Sequence, residues 1–134
     1  MTTSIFVNLP VKDLKKSMAF FAALGWHHNP QFTDETAASI VISDTIYAML
    51  LTHDKYREFT DREIADATKT SEVLIALSVD TPEEMTRLCD KALAKGGKEP
   101  KPPQDYGFMK SRTFTDLDGH HWEVVWMNPE GMPQ

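Results

Sequence analysis

Apolar and polar residues follow one another along the first half of the chain in a pattern that predicts a strand followed by a helix. The stretch "SIFVNLPV" has the β-branched and aromatic content of a strand. The residues after it place apolar side chains at helical spacing: Leu14, Met18, Phe21 and Ala22. Asp13 is a typical N-cap for this helix, and Gly25 is a typical residue at its C-terminal end. A short strand over 26–32 and a hairpin around Asp44 complete a βαβββ order.

The same order begins again after a polar segment. Residues 54–71 carry five acidic and four basic side chains and too few apolar ones for a core element, so they predict a connector with one helical turn. "EVLIALSVD" then predicts a strand, and Thr81 is the predicted N-cap of a second helix. The core-facing stripe of that helix is Met85, Leu88, Cys89, Ala92 and Leu93. A hairpin of "FMKSRTFTD" and "HHWEVVWM" closes the second half.

This internal duplication predicts an α+β fold made of two tandem βαβββ modules. The modules cover 4–53 and 72–128, the connector covers 54–71, and together they are expected to form one domain over 1–134. The single helix of each module can cover only one face of its curved sheet. We therefore expect the two remaining faces to pair and to enclose a cleft.

Composition and charge exclude several classes of partner. The net charge is −6 with a pI near 5.3, and no basic stretch is present that could bind a phosphate backbone, so nucleic acid is not expected. No apolar run approaches the roughly 18 residues that would span a membrane, and the first residues lack the order of a secretory signal. The single cysteine, Cys89, excludes an internal disulfide and lies on a predicted core stripe, where it is not expected to be a nucleophile. The protein is expected to be cytoplasmic.

The segment "TDLDGHHWEVVW" raises the question of chemistry, because a turn leads into a strand with two histidines and a glutamate. The period of two in a strand places His121 on the same face as Glu123 and turns Trp122 to the opposite face. A carboxylate in the middle of a strand that lines a cleft is rare, and such groups tend to mark sites. Glu123 is therefore the predicted functional residue, and a structural carboxylate bonded to Asn8 or to a water is the alternative.

Three motifs, taken with the order of elements, resemble the vicinal oxygen chelate superfamily, also called the glyoxalase, bleomycin-resistance and extradiol-dioxygenase family. The motifs are "LPVKDLKKSMAFFAALGW", "ALSVDTPEEM" and "DLDGHHWEVVW". The likeness is closest to members labelled predicted lactoylglutathione lyases. Metal-dependent members use four side chains, one from the first and one from the last strand of each module. The resemblance places these at Phe6, Leu50 (or Met49 if the hairpin is shifted by one), Leu74 and Glu123.

Only Glu123 of that set can bind a divalent metal, because phenyl and isobutyl groups offer no donor atom. No cofactor is therefore expected, and a divalent metal is not supported by the ligand positions. A substitute site made of His121, Glu123 and His53 stays open, provided that His53 faces inward. The other inward polar residues predicted around Glu123 are Asn8 and Ser78.

A proline-containing segment before the seventh strand carries two further candidates for ligand contact. Tyr106 and Phe108 follow "PKPPQD" and are equally consistent with an ordinary stiffened loop and with one wall of the cleft mouth. Loops in that position often carry specificity.

Three functions remain open at this point. The first is a metal-free small-molecule-binding protein similar to the bleomycin-resistance branch, with Glu123, Asn8 and His121 orienting the ligand. The second is a metal-dependent lyase or dioxygenase that uses an unconventional ligand set around Glu123. The third is a metal-independent enzyme with Glu123 as general base. Enzymatic activity therefore stays undecided.

A homodimer is also expected. The first helix carries Phe20, Ala23 and Leu24 beside its predicted Met18 and Phe21 stripe. Its apolar surface would then be wider than one sheet can cover.

Overall fold

The chain folds into two compact units that divide after Asp66. The structure is a computed structural model, and it describes residues 2–130. The predicted domain limits at 1 and 134 lie outside the described residues, and the single-domain assignment stays a prediction. Among the helices within 2–130, none is long and apolar enough to cross a membrane.

The first unit is a four-stranded mixed sheet with two helices and a 3-10 helix. β1 pairs in parallel with β4, and β3 pairs antiparallel with both β4 and β2, which gives the order β1-β4-β3-β2. The elements are β1 (Ile5–Val11), α1 (Leu14–Ala23), β2 (His28–Asn29), the 3-10 helix (Pro30–Phe32), β3 (Ala37–Val41), β4 (Ile46–Thr52) and α2 (His53–Tyr56).

The second unit repeats this arrangement. Its sheet has the order β5-β8-β7-β6, with β5 parallel to β8 and the other neighbours antiparallel. The elements are β5 (Leu74–Val79), α3 (Pro82–Ala94), β6 (Gln104–Asp105), β7 (Met109–Thr115) and β8 (His121–Met127). The α+β class and the duplicated βαβββ order are confirmed, whereas the cleft between paired faces stays a prediction.

Both predicted helix starts are confirmed. The side chain of Asp13 accepts a hydrogen bond from the backbone N of Lys16 at 3.1 Å, and Thr81 Oγ1 accepts one from the backbone N of Glu84 at 3.1 Å. Each bond satisfies a backbone donor that the first helical turn leaves without a partner, which is worth about 1 kcal/mol. Gly25 ends α1 with a φ of +97°, a conformation that glycine adopts without strain.

In each unit, one face of the sheet is buried beneath the long helix. In the first sheet, Leu9, Ile40 and Leu50 share the covered face, and α1 contacts β3 and β4. In the second sheet the covered face holds Phe114, Trp122 and Val124, and α3 contacts β7 and β8. The predicted stripe of α3 is confirmed, because Met85, Leu88, Cys89 and Ala92 are all buried.

The predicted core face of α1 is confirmed at Leu14 and Phe21, whereas the argument for a wide uncovered apolar surface was wrong. Phe20 is only 2% exposed and Leu24 is fully buried, whereas Met18 is half-buried. Phe20 packs edge-to-face on Phe21, whose ring in turn stacks on Trp26 at 6.0 Å, so both phenyl rings belong to the core. α1 therefore offers no wide apolar surface to a partner.

Arg112 joins three segments of the second unit. Its Nη1 donates to Asp90 Oδ1 on α3 at 2.9 Å, and its Nη2 donates to Glu99 Oε2 at 3.2 Å. The Arg112 side chain is only 14% exposed, so these charge-assisted bonds lie in a partly desolvated place, where they are stronger than at the surface. They hold α3 and the chain after it against β7.

The homodimer stays a prediction, although the surface of α1 no longer supports it. Light scattering at micromolar concentration should give about twice the chain mass of 15.2 kDa. A mass near that of one chain would contradict the prediction.

Candidate small-molecule site

The face of the second sheet that α3 leaves open carries both polar residues of the final strand. The strand pairing sets His121 between Leu74 and Thr115, and Glu123 between Ala76 and Thr113. Partners in a pairing point to the same side of a sheet, and alternate residues point to opposite sides. His121 and Glu123 therefore share the open face, as the period of two predicts, while Trp122 is buried on the other side.

Glu123 is half-buried rather than deeply buried. Within the described residues its carboxylate makes neither a hydrogen bond nor an ion pair, although Thr113 lies directly opposite. The hydroxyl of Thr113 instead donates to the backbone O of Lys101, at the long distance of 3.5 Å. Ala76, on the other side, has no polar side chain to offer. Glu123 is thus held in a defined strand position, and neither neighbour donates a hydrogen bond to its carboxylate oxygens.

The surroundings of Glu123 combine polar and apolar groups. His121 is half-buried and lies two residues away on the same strand, which separates the two side chains by roughly 7 Å. On β5, Leu74 is 58% exposed, and Ala76 and Ser78 are exposed as well. This face can therefore offer a ligand hydrogen-bonding groups next to an apolar surface.

The open face of the first sheet is mainly apolar. Phe6 and Asn8 on β1 lie opposite Tyr47 and Met49 on β4, and all four point away from the face that α1 covers. Phe6 and Asn8 are exposed, and their role in ligand contact stays a prediction.

The predicted position of Leu50 was wrong. Leu50 pairs with Leu9, is fully buried on the helix-covered face, and cannot contact a ligand on the open face. Met49 occupies the corresponding place on the open face, which agrees with the alternative register.

Tyr106 and Phe108 lie in the hairpin between β6 and β7. They are 56% and 39% exposed, and they flank Gly107, whose φ is +83°. The side chain of Asp105 accepts a hydrogen bond from the backbone N of Gly107 at 2.9 Å and fixes this turn. Their predicted place at a cleft mouth stays a prediction.

The residues at the four metal-ligand positions do not fit a divalent metal. With the corrected register they are Phe6, Met49, Leu74 and Glu123, which supply one carboxylate and one weakly donating thioether. His53, the third member of the substitute site, is the first residue of α2 rather than part of β4. Over residues 2–130, no group of three or more His, Cys, Asp or Glu side chains is arranged to hold a metal ion.

The carboxylate that sequence reasoning missed is Asp116, which is only 5% exposed. Its Oδ2 accepts a hydrogen bond from Trp122 Nε1 at 3.0 Å, and its Oδ1 accepts bonds from the backbone N of Asp118 and of His120, each at 3.0 Å. Burial raises the pKa of Asp116, while the charge of His120 and these hydrogen bonds act in the opposite direction. The buried indole N–H of Trp122 was the available signal, since it requires an acceptor.

Asp116 has an indirect role in the candidate site. Its hydrogen bonds fix the turn that ends at the start of β8, where Gly119 has a φ of +86°. The bond to Trp122 anchors the second residue of that strand to the covered side. His121 and Glu123 are consequently directed to the open face.

Cys89 is a core residue. It is fully buried on α3, and burial raises the pKa of its thiol to about 11. The thiol stays protonated at neutral pH, which agrees with the expectation that it is not a nucleophile.

Comparison with known proteins identifies the family. The model of the Glyoxalase/Bleomycin resistance protein/Dioxygenase superfamily matches residues 5–124, and the chain belongs to that superfamily. A hypothetical protein from S. aureus is 32% identical, with a TM-score of 0.78 over 94% of this chain and 95% of that one. A search of curated proteins gave no match.

Two further solved structures are similar in fold alone. A glyoxalase/bleomycin resistance protein/dioxygenase family enzyme from Burkholderia phytofirmans PsJN is 16% identical, with a TM-score of 0.79 over 94% of this chain and 99% of that one. A genomically encoded fosfomycin resistance protein from Listeria monocytogenes is 20% identical, with a TM-score of 0.67 over 97% of each chain.

We expect the protein, purified without a histidine tag, to contain well below one equivalent of zinc, nickel, manganese or iron per chain. The physical reason is that the four family positions supply too few donor atoms. Elemental analysis of the wild type beside Glu123→Gln checks this. One tightly bound equivalent that disappears in the variant would contradict it.

The bond between Asp116 and Trp122 should contribute measurably to stability. Asparagine has only one side-chain oxygen, so Asp116→Asn cannot accept hydrogen bonds from the indole N–H and from both backbone N–H groups. The variant should therefore lower the free energy of unfolding by about 1 to 3 kcal/mol. A double-mutant cycle with Trp122→Phe isolates the pair in urea melts, with Asp61→Asn in the connector as an exposed control. Additive effects of the two single changes would refute the coupling.

The cost of Asp116→Asn should depend on pH. Since burial raises the pKa of Asp116 above its ordinary value of 3.8, folding favours the protonated acid. The group therefore stabilises the folded chain most below pH 3.8, and this contribution is lost as the pH rises from there through the raised value. Asparagine does not titrate, so the stability difference between wild type and variant should shrink as the pH rises above 3.8. A difference that grows with pH would show the opposite shift.

Proposed function

We propose that this protein binds a small molecule on the open faces of its sheets without using a metal, with Glu123 as the polar anchor. The supporting observation is that Glu123 is half-buried in a fixed strand position and has no partner among the described residues. A carboxylate in a partly desolvated place favours a partner that supplies hydrogen-bond donors or positive charge. A bound ligand would provide that partner.

The side chains on the open face of the second sheet narrow the class of ligand. Glu123 selects a cation or a hydrogen-bond donor, and the acidic chain with its net charge of −6 attracts cations over a longer range. Leu74 and Ala76 on β5 add an exposed apolar strip beside the carboxylate. The preferred ligand is therefore an amphipathic cation or donor, with His121 and Ser78 available for further hydrogen bonds.

Ligand binding without catalysis fits the side chains around Glu123 better than either enzymatic alternative does. A lactoylglutathione lyase or dioxygenase reaction of the metal-dependent type needs an ion to polarise a carbonyl or to bind a diol. The donor set at the family positions does not fit such an ion. A base mechanism through Glu123 would need an oxyanion stabiliser near it, and the neighbouring Ala76, Thr113 and Leu74 do not form one.

Glu123→Gln tests the proposal because it removes the charge and keeps the shape. If the carboxylate is an unpaired anchor, the variant should keep the fold and be as stable as the wild type or more stable by on the order of 1 kcal/mol. Ligands found by a thermal-shift screen of cationic and donor compounds should bind more weakly to it. Glu63→Gln in the exposed connector makes the same change in charge and should leave both properties unchanged.

The opposite result has a clear meaning. A structural carboxylate would lose a charge-assisted hydrogen bond in Glu123→Gln, and the free energy of unfolding would fall by roughly 1 to 3 kcal/mol. A fall of that size, with ligand binding unaffected, would make Glu123 part of the scaffold and refute the proposal.

A further inference from the structure

The open face of the first sheet carries a pair of stacked aromatic rings. The ring centroids of Phe6 and Tyr47 are 4.8 Å apart, and the ring planes differ by 10°. Neighbouring strands in a sheet are separated by nearly the same distance, about 4.8 Å. The stack therefore runs across the strands, from Tyr47 on β4 to Phe6 on β1.

The outer side of the Phe6 ring has no neighbouring strand within the first sheet. β1 is an edge strand of the sheet, so the side of the Phe6 ring that faces away from Tyr47 has no further strand of the same sheet beside it. Phe6 is accordingly 54% exposed. The hydroxyl of Tyr47 donates a hydrogen bond to the backbone O of Asp44 at 2.8 Å. This bond fixes the orientation of the Tyr47 ring behind Phe6.

Polar and polarisable groups lie next to the exposed ring. Asn8 is two residues further along β1 on the same face, roughly 7 Å away. Its Nδ2 donates to the backbone O of Phe6 at 3.2 Å, and its Oδ1 accepts no hydrogen bond within residues 2–130. Met49 lies opposite Asn8 and offers a thioether, which makes favourable contacts with aromatic rings.

We infer that the open face of the first sheet binds a planar aromatic compound, whose ring stacks on Phe6 as a third ring. This inference rests on the proposed binding to the open faces and narrows the ligand of the first sheet to planar aromatic compounds. Offset parallel stacking is a preferred geometry for aromatic pairs, and a positively charged ring gains in addition from the negative face of Phe6. An edge ring held from behind by Tyr47 provides that surface without rearrangement.

A matched pair of probes separates ring stacking from charge. N-methylquinolinium is a flat aromatic cation, and N,N-dimethyldecahydroquinolinium has the same charge on a saturated skeleton. Calorimetric titration of the full chain should show about 3- to 10-fold tighter binding of the flat cation. Its ring protons should also shift upfield in NMR spectra, because they would lie over the Phe6 ring.

Variants of Phe6 test whether its ring causes the preference for the flat cation. Phe6→Leu keeps an apolar side chain but removes the ring, and it should abolish the preference for the flat cation and the upfield shifts. Phe6→Tyr keeps the ring and should retain both. Phe32→Leu in the 3-10 helix of the same unit removes another exposed ring, 64% exposed in the structure, and should have no effect.

The possible failures are distinguishable. If both cations bind equally and Glu123→Gln weakens both, the ring platform is refuted while the proposed function stands. If neither cation binds, the cationic ligand class fails together with the inference. If Phe6→Leu only lowers the melting temperature or dissociates an oligomer, the ring pair is a structural or interface contact, and the inference is overturned.

Discussion

The structure depends on one constraint: each four-stranded sheet has a single long helix, and that helix covers only one of its faces. Strand alternation then divides every strand into two sets of side chains with different requirements. The covered set is mainly apolar, as Leu9, Leu50, Trp122 and Val124 are. Arg112 is the charged member of that face and is paired with Asp90 and Glu99. The open set is released from that requirement and can hold Glu123, His121 and Asn8. The residues available for chemistry are thus determined by the fold before any ligand is considered.

The two carboxylates of the last hairpin illustrate how this constraint separates roles. Asp116 is buried and has three hydrogen-bond donors around it, so it acts as a structural acceptor that fixes the turn and Trp122. Glu123 is half-buried on the open face and has no such donors among the described residues. The same functional group is therefore scaffold in one position and a candidate binding group seven residues later.

Local patterns were sufficient to predict the element order, the duplicated modules and both helix caps, because these features depend on neighbouring residues. The shared face of His121 and Glu123 followed from strand alternation alone. Tertiary contacts decided the rest. The turn between β3 and β4 sets the alternation of β4, so the choice between Leu50 and Met49 could not be made from propensity. The burial of Phe20 and Leu24 depends on tertiary packing and was not visible in the sequence. The same holds for the contact between Asp116 and the indole of Trp122.

The central claim is that ligand binding occurs on the open faces of the sheets. Backbone amide shifts in a two-dimensional NMR titration with N-methylquinolinium test it most directly, because they report the contacted strands without any mutation. The account predicts that the largest changes fall on open-face residues: Phe6 and Asn8 for binding to the first sheet, and Ala76, His121 and Glu123 for binding to the second. Changes confined to α1, α3 or the exposed connector after α2, with β1 and β8 unaffected, would contradict it.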